Sequence, residues 1–187
     1  MKETRANVRN RTSELVYIAL FACLIALCAW ITVPAAVPFT LQTFSIFCAV
    51  GMLGGRRGTI AVLVYMLLGV IGLPVFSGFR GGFGVLLGTT GGYIVGFLFT
   101  TLTYWLVTKL CGQKLGMLLG MSLGLVACYA FGTVWFMAVY TRTTGTIGLG
   151  TALVWCVFPF ILPDAIKIAL AIALTKLLSP HIKSFSK

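Results

Sequence analysis

Acidic side chains are nearly missing from this chain: 187 residues hold three of them, against 14 Lys and Arg. There is one histidine, His181, so the stock from which an acid–base pair or metal site is assembled is almost empty. The six cysteines, Cys23, Cys28, Cys48, Cys111, Cys128 and Cys156, stand singly among apolar residues with no pair at metal-ligand spacing. They read as small core hydrophobes. No glycine-rich segment ends in Gly-Lys-Ser or Gly-Lys-Thr, which excludes ATP hydrolysis by a phosphate-cradling loop. Neither a metal nor a cofactor is implied.

What the chain has in quantity is hydrocarbon. Hydrophobic residues make up 59% and charged residues 9%, and the mean hydropathy of +1.06 is beyond what a soluble domain of this size keeps in water. The expectation is a single integral membrane domain over residues 1–187, all-α and polytopic. Crossing about 30 Å of hydrocarbon takes roughly 20 apolar residues. Six spans are predicted: Leu15–Val33, Thr40–Leu53, Thr59–Ile71, Gly91–Leu110, Met117–Tyr140 and Thr151–Leu178. The second and third are short and divided only by Arg56 and Arg57, and the last is too long for one straight helix. The first lacks a convincing cleavage site and reads as a retained helix.

Basic residues set the orientation, because cytoplasmic loops retain Lys and Arg. With the N-terminus inside, Lys2, Arg5, Arg9, Arg11, Arg56, Arg57, Lys109, Lys114, Lys176, Lys183 and Lys187 all fall on the cytoplasmic side. Only Arg80 and Arg142 fall outside. The reading is a multi-pass plasma-membrane protein with both termini cytoplasmic, residues 1–13 and 179–187 forming its tails. The net charge of +11 then reflects insertion into a lipid bilayer, and no nucleic-acid partner follows from it.

Against this background, Asp164 and Lys167 inside the last span demand a reason. A charged side chain at membrane depth costs about 2.5 kcal/mol or more on insertion scales, and such groups face a cavity, a partner or a ligand. Three residues are nearly one helical turn, so both groups project to one side. They read as the floor of a polar pocket; the simpler reading is that they pair only with each other. Pro159 and Pro163 predict a break, with a helix restarting at Pro163, Asp164 in its first turn under the helix dipole, and Thr151 to Phe158 a separate piece.

Two loops are placed to cover such a pocket. Pro34 and Pro38 break the chain before Gln42 and Thr43, which bring polar groups to a membrane edge. The segment from Gly72 to Gly84, with Gly82 in it, mixes glycine and phenylalanine with Arg80, and Thr90-Gly-Gly-Tyr93 follows. Glycines allow backbone to approach a ligand, aromatics supply apolar walls and Arg80 a forked cation. Small residues recur every fourth position at Ala22 and Ala26, at Gly88, Gly92 and Gly96, at Gly112, Gly116, Gly120 and Gly124, and at Ala165, Ala169 and Ala173. The first stripe is the one expected to dock another subunit, the rest to pack helices within the bundle.

Three segments together, Val37-Pro-Phe-Thr-Leu-Gln-Thr43, Gly72-Leu-Pro-Val-Phe with Gly81-Gly-Phe-Gly-Val-Leu and Thr90-Gly-Gly-Tyr93, and Phe158-Pro-Phe through Asp164 and Lys167, resemble the biotin-specific S component of energy-coupling factor (ECF) vitamin transporters. The resemblance covers most of the chain in order. It implies six transmembrane helices, a ligand pocket towards the outer face capped by loops, high-affinity capture of biotin, and no enzyme activity. It also implies a separate energising module of one transmembrane coupling protein and two ATPases, with Ala22 and Ala26 contacting the coupling protein. The chain departs from the family at Thr89, where Pro is usual, and at Pro163, where Gly is usual. Both bear on loop conformation more than on ligand class.

Biotin's ureido ring offers two N–H donors and a carbonyl, its second ring is apolar, and its tail ends in a carboxylate. Asp164 can accept from the ureido group, and Lys167 or Arg80 can meet the carboxylate. The candidate binding residues are Asp164, Lys167, Tyr93, Gln42, Arg80, Thr43 and Gly82. The rivals are an S component for another small vitamin, an intramembrane enzyme, and a ligand-free structural membrane protein.

Overall fold

The computed structural model describes the backbone of residues 2–35 and 37–182, and their side chains apart from those of 2–10, 114 and 179–182. Lys183 and Lys187, and the side chains of Lys2, Arg5, Arg9, Lys114 and His181, lie outside that description. The elements run α1 (Lys2–Trp30), β1 (Thr32–Val33), β2 (Phe39–Thr40), α2 (Gln42–Leu53), α3 (Gly55–Val70), α4 (Phe83–Leu87), α5 (Gly91–Cys111), α6 (Gln113–Thr143), α7 (Leu149–Cys156) and α8 (Phe158–Ile182). Six of these helices correspond to the six predicted spans. The short α4 is additional, α7 matches the separate piece expected over Thr151 to Phe158, and residues 2–13 and 179–182 of the expected tails continue α1 and α8 as helix.

Among the described residues, four stretches are long and apolar enough to cross a bilayer, namely Arg11–Trp30, Gly91–Cys111, Leu115–Thr143 and Leu149–Leu178. The short α2 has another task. Every residue from Ser45 to Gly51 is buried, because α2 lies at the centre of the bundle against α1, α3 and α8. A helix apolar on all sides belongs inside, where neighbours rather than lipid surround it. It turns into α3 through Gly54 alone, at φ 81, a left-handed conformation that glycine adopts without steric cost. Outward-facing Leu15, Leu20, Leu67, Leu106, Leu123 and Leu170, all exposed, give the bundle its lipid-facing surface.

The helices are held by close backbone approach rather than by a hydrophobic drive, which lipid does not supply. Gly116, Gly120 and Gly124 of α6 lie against Thr108, Tyr104 and Thr100 of α5, and Gly92 and Gly96 of α5 lie against Trp135 and Cys128 of α6. A Cβ on Gly124 would stand 2.6 Å from the Thr100 carbonyl oxygen, at the point where the Thr100 hydroxyl donates to the Gly124 carbonyl at 3.1 Å. Gly124→Leu is therefore expected to destabilise the protein by about 1–3 kcal/mol through overpacking. Gly148→Leu, at a position where a Cβ meets nothing within 4 Å, serves as the matched control. Thermal unfolding in detergent reads the difference, and equal melting of both variants would refute the close packing.

The other small-residue stripes reverse the expectation. Ala22 and Ala26 are 1% and 7% exposed and sit in the core with Val62 and Tyr65 of α3, so they build the bundle and present no docking surface. Ala165, Ala169 and Ala173, expected to pack inside, are exposed. Both errors have one source: fourfold spacing shows that a face is flat without showing which way the helix turns it.

The predicted helix restart is also corrected. The chain breaks at Val157, φ −127 and ψ −58, and α8 runs from Phe158 straight through Pro163. Pro159 lies in the first turn, where a backbone N–H has no intrahelical acceptor to lose. Pro163 forfeits a single bond one turn later. Asp164 thus lies beyond the first turn, and the helix terminus does not account for its charge.

Candidate functional site

Three elements, β2, α2 and α6, converge on the two charged residues of α8. Asp164 is 2% exposed and Lys167 5%, and Lys167 Nζ donates to Asp164 Oδ1 at 2.8 Å. The same ammonium donates to the Thr40 carbonyl of β2 at 2.7 Å and to Thr43 Oγ1 of α2 at 2.9 Å, which uses all three of its N–H groups. It also lies 4.2 Å from the centroid of the Phe39 ring, a cation–π distance. Thr43 Oγ1 in turn donates to Asp164 Oδ1 at 3.0 Å, and the Tyr129 hydroxyl of α6 donates to Oδ2 at 2.5 Å. The carboxylate is held by three donors from three elements, which meets the condition under which a buried ion pair is tolerated.

The cluster forms one wall of a cavity of about 70 Å³. Gln42, Thr43, Arg80, Tyr93, Asp164 and Lys167 all line it, so the fold brings together six of the seven residues nominated from sequence. Gln42 is buried and donates through Nε2 to the Tyr65 hydroxyl at 2.9 Å. The Tyr93 hydroxyl is 3.0 Å from Thr133 Oγ1. Arg80 is exposed at the rim, its Nε donating to the Ser77 carbonyl at 3.1 Å. Gly82 is absent from the lining; it caps α4 at φ 95, and its N–H donates to the Gly69 carbonyl at 2.7 Å, so its place is in the loop's own scaffold.

Apolar and aromatic side chains, among them Phe76, Phe97 and Phe160, complete the walls with Cys128 and Cys156. Tyr129 and Thr40 were missed from sequence. A tyrosine in the middle of the Met117–Tyr140 span was the available signal for the first. The Thr40 contact runs through a backbone carbonyl, about which side-chain identity is silent.

Two loops cover the cavity and interlock. β1 and β2 form a minimal antiparallel hairpin pairing Thr32 with Thr40 and Val33 with Phe39. Across from it, the segment between α3 and α4 folds on itself through a Phe76–Arg80 bridge. Trp30 stacks on Phe79 at 4.9 Å and donates its indole N–H to the Pro74 carbonyl at 2.8 Å, while Ser77 Oγ donates to Thr32 Oγ1 at 3.0 Å. Phe79 takes φ 57 to make this stack, a left-handed conformation uncommon outside glycine.

A probable biotin transporter of Pyrococcus horikoshii is 35% identical over 167 residues, 89% of this chain and 96% of its own length. A biotin transporter of Lactococcus lactis is 32% identical over 92% of this chain and 96% of its own. A crystal structure described as the S-component for biotin from an ECF-type ABC transporter has the same fold, with a TM-score of 0.81 at 30% identity, covering 92% of this chain and 93% of that one. The sequence pattern of one family runs through residues 1–184, from the first turns of α1 to the end of α8, and the chain belongs to that family, BioY.

Proposed function

We propose that this protein is the high-affinity biotin-capture subunit, the S component, of an ECF-type importer. The observation that carries the reading is the buried Asp164–Lys167–Thr43–Tyr129 cluster opening onto an apolar-walled cavity beneath two interlocked loops. Similarity to biotin transporters and to a biotin S component supports the ligand, because a sequence relative and a solved structure each match nearly the whole chain. Asp164 accepts from a ureido N–H, and the aromatic walls take the thiophane ring and aliphatic chain. Lys167 already spends its three donors inside the protein, whereas Arg80 is exposed at the rim. Arg80 therefore meets the ligand carboxylate, and Asp164 with Lys167 addresses the ring end.

The cavity of about 70 Å³ is well below the roughly 300 Å³ of small-molecule pockets, so the vitamin enters by an outward movement of the loops. The distribution of basic residues supports cytoplasmic termini and a pocket opening outside, and residues 1–187 act as one membrane domain. Glu14 of α1 pairs with Arg57 at the start of α3, which supports placing those two ends on one membrane face. Because the chain carries no nucleotide-binding motif, energy comes from separate subunits: a transmembrane coupling protein and two ATPases.

Titration of the purified protein with biotin, followed by quenching of Trp30 and its neighbours, is expected to saturate well below the micromolar range, where binding is worth more than about 8 kcal/mol. Excess riboflavin or thiamine should leave the curve unchanged. Affinity of micromolar order or weaker, unaltered by Asp164→Asn or Lys167→Ala, would return the ion pair to a purely structural role. Competition by another vitamin would replace the ligand while keeping the class.

A further inference from the structure

We propose that Gly132 is a positioning residue of this site: by letting the Tyr93 ring lie flat on α6, it leaves the width in which the ligand's sulfur-bearing ring is held. The inference rests on the biotin-binding reading above. Tyr93 of α5 is tied to α6 at both ends. Its carbonyl accepts from Cys128 Sγ at 3.7 Å, and its hydroxyl is 3.0 Å from Thr133 Oγ1. Between these two contacts the ring crosses Gly132. A Cβ on Gly132 would stand 2.4 Å from Cδ1, 2.4 Å from Cε1 and 2.7 Å from Cγ of Tyr93. Three consecutive ring carbons at such similar distances put that Cβ over the face of the ring, since an edge-on approach would leave the third carbon far behind. The ring therefore rests on bare backbone, an approach that glycine alone permits.

This glycine differs in kind from the others of α6. Gly116 and Gly124 meet backbone atoms of α5, and their missing side chains bring two helices together. Gly132 meets a side chain that lines the ligand cavity, so its missing side chain sets where a wall of that cavity stands. Carbon atoms in contact settle at about 3.5–4.0 Å, so a methyl group here would drive the ring off α6 by about 1 Å or more. The bundle around Tyr93 is packed with Ile94, Phe97, Cys128 and Phe136, and a close-packed interior does not yield by that much. The cavity is the space that gives.

Helix spacing identifies the part of the ligand that meets this wall. Tyr129, whose hydroxyl donates to Asp164, precedes Gly132 by three residues, so the two project to one side of α6, about 4.5 Å apart along its axis. The Tyr93 ring thus stands nearly one turn from the carboxylate that takes the ureido group. In biotin the sulfur ring is fused to the ureido ring and comes next, while the tail runs on to Arg80 at the rim. Width at Tyr93 is therefore width for the sulfur ring. In an apolar pocket, room for one methylene is worth about tenfold or more in discrimination.

The test uses the full-length protein in detergent, titrated with biotin and with dethiobiotin, which keeps the ureido ring and the tail but lacks the sulfur. In Gly132→Ala the affinity ratio should move about tenfold or more towards dethiobiotin. The ratio is independent of the folded fraction, since both ligands are measured on one preparation. Tyr93→Leu removes the ring that the new methyl group would push, so adding Gly132→Ala to Tyr93→Leu should leave the ratio where Tyr93→Leu alone sets it. That pair of variants decides the matter where Gly132→Ala by itself yields no folded protein. An unchanged ratio in Gly132→Ala, or a tenfold shift that Gly132→Ala still causes in the Tyr93→Leu background, overturns the inference and leaves the biotin reading standing. Wild type that binds neither compound overturns both.

Discussion

Replacing Asp164 by Asn is expected to lower biotin affinity by about 100-fold or more, close to 3 kcal/mol at 1.4 kcal/mol per factor of ten. The substitution keeps the shape and removes the charge. One oxygen still accepts, but the other is replaced by an NH₂ group that donates, and it meets either the Tyr129 hydroxyl or the Lys167 ammonium, both of which donate to the native carboxylate. The ligand loses a charge-assisted hydrogen bond, typically about 1.5–3 kcal/mol, and the site around it loses its alignment. Calorimetric or fluorescence titration measures the effect. A loss smaller than about fivefold would mean that the carboxylate does not meet the ligand, because a single charged hydrogen bond is worth more than that.

Lys167→Met is expected to have the larger effect on the protein itself. The thioether fills much of the stem's volume, but the change leaves the Asp164 carboxylate buried without a counter-charge and frees the Thr40 carbonyl and the Phe39 ring. Breaking one partner of a buried pair costs about 3–5 kcal/mol, to be read as a lowered unfolding midpoint together with abolished biotin binding. The double variant Asp164→Asn/Lys167→Met should recover much of that stability, because no uncompensated charge remains. It should recover none of the binding. Additive loss of stability in the double variant would show that the two side chains are not coupled as their 2.8 Å contact requires.

These outcomes also separate stability from function in the pair. Similar volume without charge suffices to fold the bundle, whereas ligand capture needs the charges and the donors around them. Lys167 joins the two roles, since the same ammonium that neutralises Asp164 holds the hairpin over the cavity through Thr40.

Much of this architecture was legible before any coordinates. The spans expected at Gly91–Leu110 and Met117–Tyr140 fall on α5 and α6, because a bilayer selects for uninterrupted hydrocarbon, and glycine at each end of α5 and at the start of α6 marks where the backbone turns. Gln42, Thr43, Tyr93 and Arg80 were recognisable as polar groups in segments that had no other use for them. The helix break was placed at Pro163 instead of Val157 because proline signals a missing N–H but does not show whether the helix can spare it. Ala22 and Ala26, expected to dock another subunit, lie inward in the fold, in one apolar cluster with Val62 and Tyr65.

By itself the sequence determined that the protein lives in a membrane, that Asp164 and Lys167 share one helix face, and that the chain offers no Walker-type loop for ATP; each follows from composition, from a motif or from spacing within a turn. Only the tertiary structure decided that Tyr129, 35 residues away along the chain, donates to Asp164, and that Lys167 reaches back to the Thr40 carbonyl. Such contacts depend on how α6 and α8 rotate about their axes and on where the hairpin settles. Those choices are made by glycine-mediated helix packing across the whole bundle, which no local stretch of residues encodes.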